Sequence, residues 1–120
     1  MQEHGGSIVN ISSVGGFSVE AGIGVYNTTK AAIVHLTKIL AVELGPGVRV
    51  NCIAPGLVKT DFARALWENP QTLKYVTDTT PLRRIGEPDE IAGAAVFLAS
   101  AAGSYTTGQA IVIDGGTTIR

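Results

Sequence analysis

The chain has 120 residues, a formal net charge of −1 and a hydrophobic content of 45%. This length allows one domain at most, and the apolar content is high enough for a core, which excludes a disordered chain. The nine basic residues are scattered along the chain, so the charge pattern excludes a basic surface for nucleic acid or for an anionic membrane.

A strand, a loop and a long helix are predicted in the first third of the chain. Residues 7–12 are a β-branched run after two glycines, which is typical of a buried strand. Residues 13–24 contain four glycines and no regular period, which predicts a loop. Residues 26–44 contain neither glycine nor proline, and their apolar residues recur at helical spacing, which predicts a helix of about five turns.

The predicted long helix is apolar around most of its circumference. Such a helix is usually covered on more than one side, and we expect a sheet and a second subunit to cover it. The Gly-Pro-Gly sequence at residues 45–47 ends it.

The remainder of the chain is predicted to contain two strands with helices between them. Residues 48–54 form a second strand that ends at a Pro-Gly turn, and residues 109–114 form a third strand that ends at two glycines. The more polar stretch 57–84 is expected to hold short helices. Pro88 begins a helix over 89–100, whose first turn is acidic, as the helix macrodipole favours.

Strands that alternate with helices predict an α/β fold with a parallel sheet and right-handed crossovers. A sheet of only three strands leaves an edge or a face exposed. We therefore expect this chain to be part of a larger doubly wound domain.

Cysteine and histidine usage limits the kinds of site that the chain can hold. Cys52 is the single cysteine, so no internal disulfide forms and a reducing compartment is expected. With two histidines besides, no metal site is expected. The longest apolar run is too short to span a bilayer, and the first six residues lack the features of a signal peptide. The sequence predicts a soluble, cytoplasmic protein.

Tyr26 and Lys30 are the first candidates for catalytic chemistry. A spacing of four residues places them on one face of the predicted helix. An ammonium near a tyrosine favours the phenolate, and a phenol so placed can give a proton to a carbonyl oxygen or take one from an alcohol. Taken alone, the pair is also explained as two ordinary surface residues of a helix that have no catalytic role.

Ser13 is the third candidate, because it lies at the carboxyl end of the first strand, where open α/β sheets build their sites. Its hydroxyl can reach the carbonyl oxygen that Tyr26 protonates. Ser12 is its neighbour, and the alternation of side chains along a strand lets only one of the two face the site. Taken alone, a serine in a glycine-rich turn is common.

Several segments, in a fixed order and covering nearly the whole chain, resemble the short-chain dehydrogenase/reductase family. They are residues 10–13 (Asn-Ile-Ser-Ser), the interval from Ser13 to Tyr26-x-x-x-Lys30, and residues 50–56 (Val-Asn-Cys-Ile-Ala-Pro-Gly), 86–92 (Gly-Glu-Pro-Asp-Glu-Ile-Ala), 97–100 (Phe-Leu-Ala-Ser) and 107–116. Within the family, the pattern is nearest to carbonyl-reducing and retinal-reducing members that use NADP and to 3-oxoacyl-[acyl-carrier-protein] reductases.

The resemblance implies a fold and an activity. The fold would be the C-terminal half of a Rossmann-like doubly wound parallel sheet, with three strands and crossover helices. The activity would be hydride transfer between NADP or NAD and a carbonyl or secondary alcohol. Tyr26 would be the general acid/base, Lys30 would stabilise its phenolate and hydrogen-bond the nicotinamide ribose, and Ser13 would orient and polarise the substrate carbonyl.

The resemblance also implies a cofactor pocket after the second strand. Pro55, Gly56 and Val58, together with Leu57, would line the nicotinamide pocket, and Thr60 would hydrogen-bond the carboxamide or a phosphate. A glycine there can lie close to a flat ring because it lacks a side chain. An ordinary turn that ends a strand is the simpler explanation.

Phe62, Leu66 and Trp67 are candidates for a mobile lid over an apolar substrate. They are equally well explained as the apolar face of a short helix. The intact protein is expected to be a homodimer or homotetramer.

The family's glycine-rich phosphate-binding turn is absent from the 120 residues, as are the residue that selects NAD or NADP and the upstream catalytic asparagine. Residues 1–3 resemble the end of a preceding helix. We therefore expect a fragment that lacks the N-terminal cofactor-binding half and has little activity alone.

A non-catalytic regulatory or interaction domain with the same fold is the main alternative. A sugar-nucleotide epimerase or dehydratase fits less well. A serine hydrolase is disfavoured, because the chain has no Gly-x-Ser-x-Gly turn.

Overall fold

The computed structural model describes residue 1 and residues 3–120; Gln2, which belongs to the predicted end of a preceding helix, lies outside the described residues. The helices and strands are β1 (Gly6–Ile11), α1 (Gly24–Leu44), β2 (Val48–Pro55), α2 (Arg64–Trp67), α3 (Pro70–Thr79), α4 (Pro88–Ala99) and β3 (Ala110–Ile113). Short 3-10 turns lie at Val14–Gly16, Ala101–Gly103 and Thr117–Ile119. The predicted α/β class is confirmed.

The three strands form one parallel sheet in the order β1-β2-β3. Ile53 of β2 pairs with Ile11 on one side and with Ile111 on the other, so β2 is the central strand. β1 lies at an edge of this sheet, and within the described part of the chain it has no second strand partner. The exposed edge that the sequence predicts is present.

β2 also lies at the centre of the core. Cys52, Ile53 and Val50 are fully buried, because β2 has a strand on each side and α1 packs on the sheet. Burial raises the pKa of the Cys52 thiol, partly offset by hydrogen bonds and by the charge of Lys30. Cys52 is therefore a core residue rather than a reactive thiol.

Helix α1 packs on the sheet along one side only. Val34, Thr37 and Ala41 are its buried residues. Leu36, Ile39 and Val42 lie on the free side, where Val42 is 84% exposed. The expected cover by a sheet is confirmed, and this chain leaves the opposite side of the helix open.

Local hydrogen bonds set the starts of α1 and α3. α1 begins at Gly24 instead of Tyr26, because the amide of Asn27 already donates to the carbonyl of Ile23 (2.9 Å). The polar stretch 57–84 holds both α2 and α3. α3 begins at Pro70, where the Asn69 side chain accepts hydrogen bonds from the amides of Gln71 (3.0 Å) and Thr72 (3.1 Å).

Arg49 of β2 binds the end of helix α4 to the sheet. Its guanidinium donates to the carbonyls of Leu98 (2.8 Å), Gly103 (2.8 Å), Ser100 (3.3 Å) and Thr106 (3.4 Å). A cation is favourable at this position because the carbonyls at a helix C-terminus carry partial negative charge. Each of these four carbonyls also accepts a hydrogen bond from another donor, so Arg49 adds a charged donor that joins the segments on which they lie.

We expect Arg49→Met to lower the free energy of unfolding by about 1.5–3 kcal/mol, because it removes hydrogen bonds from a charged donor to partly buried carbonyls. Arg49→Lys keeps the charge but has too short a reach for all four carbonyls, and we expect an intermediate loss. Denaturant unfolding measures both, with Lys74→Met, which removes an exposed ion pair with Asp78, as a control of little effect. Equal stability of Arg49→Met and the parent would contradict the structural role.

Candidate active site

The loops that follow the three strands begin side by side at the carboxyl edge of the sheet. The amide of Ser12 donates to the carbonyl of Ile53 (2.8 Å), and the amide of Gly56 donates to the carbonyl of Ile113 (2.9 Å). These bonds place the residues after β1, β2 and β3 next to one another. This is the edge where open α/β sheets build their sites.

Ser12 and Ser13 have different roles. Ser12 is buried, and its hydroxyl donates to the backbone carbonyl of Lys30 (2.7 Å), which fastens α1 to the end of β1. Ser13 is half-buried, and its Oγ accepts a hydrogen bond from the amide of Gly15 (3.1 Å). The Ser13 hydroxyl thus keeps its own proton for another acceptor, and the bond that it accepts makes it a stronger donor.

Gly15 and Gly16 let the Ser13 loop lie against helix α1. A Cβ added at Gly15 would be 3.2 Å from Cε1 of Tyr26, and one added at Gly16 would be 3.0 Å from the carbonyl oxygen of Lys30. A side chain at either position would push the loop away from the helix. The sequence predicted only a loop here, but these glycines let the loop after Ser13 touch Tyr26 and Lys30.

Tyr26 and Lys30 lie on the first two turns of α1 and face the same way. The Lys30 Nζ is 5.5 Å from the centroid of the Tyr26 ring. Tyr26 is 36% exposed and Lys30 is half-buried, so both are accessible to a molecule at the sheet edge. Lys30 thus lies beside Tyr26, and the loop that follows Ser13 touches Tyr26 at Gly15.

Asn27 is part of this site, although the sequence analysis did not single it out. Its Oδ1 is buried and has no hydrogen-bond partner among the residues that the structure describes. It lies against Gly15, where an added Cβ would be 2.5 Å away. An unpaired buried acceptor is rare, and it fits a donor from water or from a bound molecule.

Gly56, the first residue after β2, is in close contact with the loop after β3. A Cβ added at Gly56 would be 2.9 Å from both Cα and Cβ of Asp114. The contact with Asp114 thus requires a glycine here, which is a different reason from the approach of a flat ring. Pro55 and Gly56 are both half-buried beside the site.

Asp114 organises the residues after β3. Its carboxylate accepts hydrogen bonds from the amides of Gly116 and Thr118 and from the Thr118 hydroxyl, each 2.8 Å long. Burial alone would raise the pKa of Asp114, but these hydrogen bonds outweigh it and lower the pKa below its ordinary value. A charged Asp114 therefore holds the end of the chain against Gly56.

The segment after Gly56 is fixed by a short parallel bridge to Gly86. The amide of Lys59 donates to the carbonyl of Gly86, and the amide of Gly86 donates to the carbonyl of Leu57, both at 2.9 Å. Val58, between them, is buried. Thr60 follows directly, half-buried, with its Oγ1 accepting from the amide of Ala63 (3.3 Å).

The three lid candidates are in different environments. Phe62 is 90% exposed, and Leu66 is also exposed. Trp67 is half-buried, and its indole Nε1 donates to the carbonyl of Thr60 (2.8 Å). Phe62 and Leu66 are thus exposed apolar side chains, whereas Trp67 is held by a hydrogen bond to Thr60.

Two kinds of feature are absent from the part of the chain that the structure describes. None of its helices combines the length and the apolar character needed to cross a membrane. In the same residues, 1 and 3–120, no three histidine, cysteine, aspartate or glutamate side chains are grouped so that they could hold a metal ion.

Comparisons with known proteins agree with the fold. Residues 1–118 match the family model described as enoyl-(acyl carrier protein) reductase. The human protein dehydrogenase/reductase SDR family member 4 is 47% identical over 117 residues, which are 97% of this chain and 42% of that protein.

Solved structures of dehydrogenases are also similar to this chain in sequence and in fold. A gluconate 5-dehydrogenase from Burkholderia cenocepacia, in complex with NADP and tartrate, is 37% identical with a TM-score of 0.94, over 98% of this chain and 47% of that one. A 7α-hydroxysteroid dehydrogenase complexed with NADH and 7-oxo glycochenodeoxycholic acid is 37% identical with a TM-score of 0.91, over 96% of this chain and 45% of that one. The chain spans less than half the length of each of these relatives.

Proposed function

Since the chain belongs to the short-chain dehydrogenase/reductase family, we propose that it supplies the proton-transfer site of an NAD(P)-dependent oxidoreductase acting on carbonyls and secondary alcohols. The observation that supports this proposal is that the loop after Ser13 packs against Tyr26 at Gly15, while Lys30 lies beside the Tyr26 ring. We propose that a longer, full-length enzyme carries this chain, and we refer to it below, because the chain spans less than half the length of the three relatives described above.

Each of the three groups has a part in moving one proton. The Tyr26 hydroxyl donates a proton to the carbonyl oxygen in reduction and takes it back in oxidation. The Lys30 ammonium stabilises the negative charge that Tyr26 carries after donation. The Ser13 hydroxyl, polarised by the amide of Gly15, donates a hydrogen bond to the same oxygen and orients it.

A nicotinamide cofactor fits the donor set of this site. One solved relative holds NADP and another holds NADH, in agreement with the expected NADP or NAD. When bound, the cofactor supplies or accepts the hydride. The residues that would hold it are Tyr26, Lys30, Pro55, Gly56, Val58 and Thr60. The hydroxyl and ammonium of Tyr26 and Lys30 suit a ribose, and the unpaired Oδ1 of Asn27 is an acceptor nearby.

The free side of helix α1 supports assembly with a second copy of the chain. Leu36, Ile39 and Val42 are exposed there, and apolar surface of this kind gains stability when another subunit covers it. A homodimer or homotetramer stays our prediction for the full-length enzyme, as does a cytoplasmic location.

The proposal is tested by comparing the 120-residue chain with the full-length enzyme. We expect the full-length enzyme to oxidise NADPH or NADH when given a panel of ketones and aldehydes. We expect little or no turnover from the 120 residues alone, because they contain no glycine-rich phosphate-binding turn and β1 is left at an open edge. The fall in absorbance of the reduced cofactor measures the turnover of both proteins.

Two results would contradict these expectations. Normal turnover by the 120 residues alone would show that the missing turn is dispensable. A full-length enzyme that binds neither cofactor would instead favour the alternative of a non-catalytic domain with this fold.

A further inference from the structure

Trp67 makes a specific contact with a residue seven positions earlier in the chain. Its indole Nε1 donates to the backbone carbonyl of Thr60 at 2.8 Å, in a half-buried position. An indole N–H is a donor only, and its ring is rigid, so this bond fixes the position of the acceptor. Trp67 therefore helps to hold the Thr60 backbone in place.

The indole ring is itself held by two cations. The Lys59 Nζ is 5.5 Å from the ring centroid, and the Arg64 guanidinium carbon is 5.9 Å from it. Arg64 is in turn paired with Asp61 and lies 3.9 Å from Glu68. Cation–π contacts of this kind favour one orientation of the ring.

Thr60 is restrained on its other sides as well. Its amide donates to the carbonyl of Val58 (2.8 Å), and its Oγ1 accepts from the amide of Ala63 (3.3 Å). The hydroxyl proton is thus left for another acceptor. The carbonyl accepts from the amide of Ala63 (3.2 Å) and from Trp67 (2.8 Å), and Trp67, at the far end of α2, is the one side chain in the described part of the chain that donates to it.

We propose that Trp67 is a positioning residue for cofactor binding: through its bond to the Thr60 carbonyl, it holds the Thr60 hydroxyl where the nicotinamide half of the cofactor is bound. This inference rests on the proposed function, in which Thr60 contacts the cofactor. It assigns Trp67 a role different from that of Phe62 and Leu66, whose side chains are exposed.

The test is Trp67→Phe in the full-length enzyme, which keeps an aromatic ring and removes the N–H. We expect the Kd for NADPH or NADH, measured by fluorescence titration, to rise roughly three- to tenfold, the effect of one lost hydrogen bond. At saturating cofactor we expect kcat to change by less than about twofold, because the proton-transfer groups are untouched. Tyr75→Phe, which removes a donor from an exposed aromatic residue of α3, is the matched control with an unchanged Kd.

A double-mutant cycle separates positioning from general stability. Thr60→Ala removes the hydroxyl, and we expect it to raise the same Kd. If Trp67 acts through Thr60, Trp67→Phe adds little in the Thr60→Ala background. Additive effects of the two substitutions, or an unchanged Kd in either single variant, would overturn the inference. Thermal unfolding of each variant confirms that the measured protein is folded.

Failure of this inference is distinguishable from failure of the proposed function. Tyr26→Phe is assayed in the same series. Full turnover in that variant removes the proposed function and this inference with it. Lost turnover in Tyr26→Phe together with an unchanged Kd in Trp67→Phe overturns only the role of Trp67.

Discussion

Replacing Tyr26 with phenylalanine in the full-length enzyme is expected to lower kcat by about 10²–10⁴-fold, the usual contribution of a positioned general acid. The substitution removes one oxygen and keeps the ring that lies against the Ser13 loop and beside Lys30. The packing of α1 should therefore survive. Cofactor Kd is expected to change much less than kcat, because Lys30 and the residues after β2 are unchanged.

The matched control is Tyr105→Phe. Tyr105 is fully exposed in the connection between α4 and β3, so loss of its hydroxyl should leave both kcat and Kd as they are. Steady-state rates and a cofactor titration on the same preparations measure both quantities. Unchanged turnover in Tyr26→Phe would end the assignment of Tyr26 as the general acid.

Lys30→Met is expected to lower kcat and to raise the cofactor Kd, each by about 10- to 100-fold. The ammonium has two functions in the proposal: it stabilises the charge on Tyr26, and it hydrogen-bonds the cofactor ribose. Hydrogen bonds to charged groups are the stronger ones, which sets this magnitude. Ser12 binds the carbonyl of residue 30, and methionine keeps that carbonyl, so the helix should stay fastened to β1.

Lys38→Met is the control for this second prediction. Lys38 is an exposed lysine further along the same helix, so the variant makes the same chemical change away from the site. We expect it to leave kcat and Kd unaltered. A Lys30→Met enzyme that loses rate but binds cofactor normally would show that Lys30 serves the tyrosine alone.

The sequence alone predicted the regular elements well, because their signals are local. Helical spacing of apolar residues marks α1, β-branched runs between glycines mark the strands, and Pro88 with two acidic residues marks the start of α4. The bounds shifted by one or two residues where a single hydrogen bond decides them, as at Gly24. The alternation argument at Ser12 and Ser13 also separated a buried serine from a half-buried one.

The arrangement of the site was harder to predict because it depends on contacts between distant segments. Gly15 and Gly16 indicate a loop in the sequence, but only the packed structure shows that they let this loop touch Tyr26 and Lys30. The contact of Gly56 with Asp114, which lies far along the chain, has no signal in the sequence. The bond between Trp67 and Thr60 has no motif of its own.

The pairing of Leu57 and Lys59 with Gly86 has a consequence for how far the length of this part of the chain can vary. The two bonds hold Val58 next to Gly86. They therefore join the two ends of the stretch between these residues, which contains α2 and α3. Since loop-closure entropy grows only slowly with length, residues inserted or deleted around α3 cost little stability while the bridge holds both ends of the stretch. Under the proposed function, such changes in length leave Tyr26 and Lys30, which lie on α1, in place.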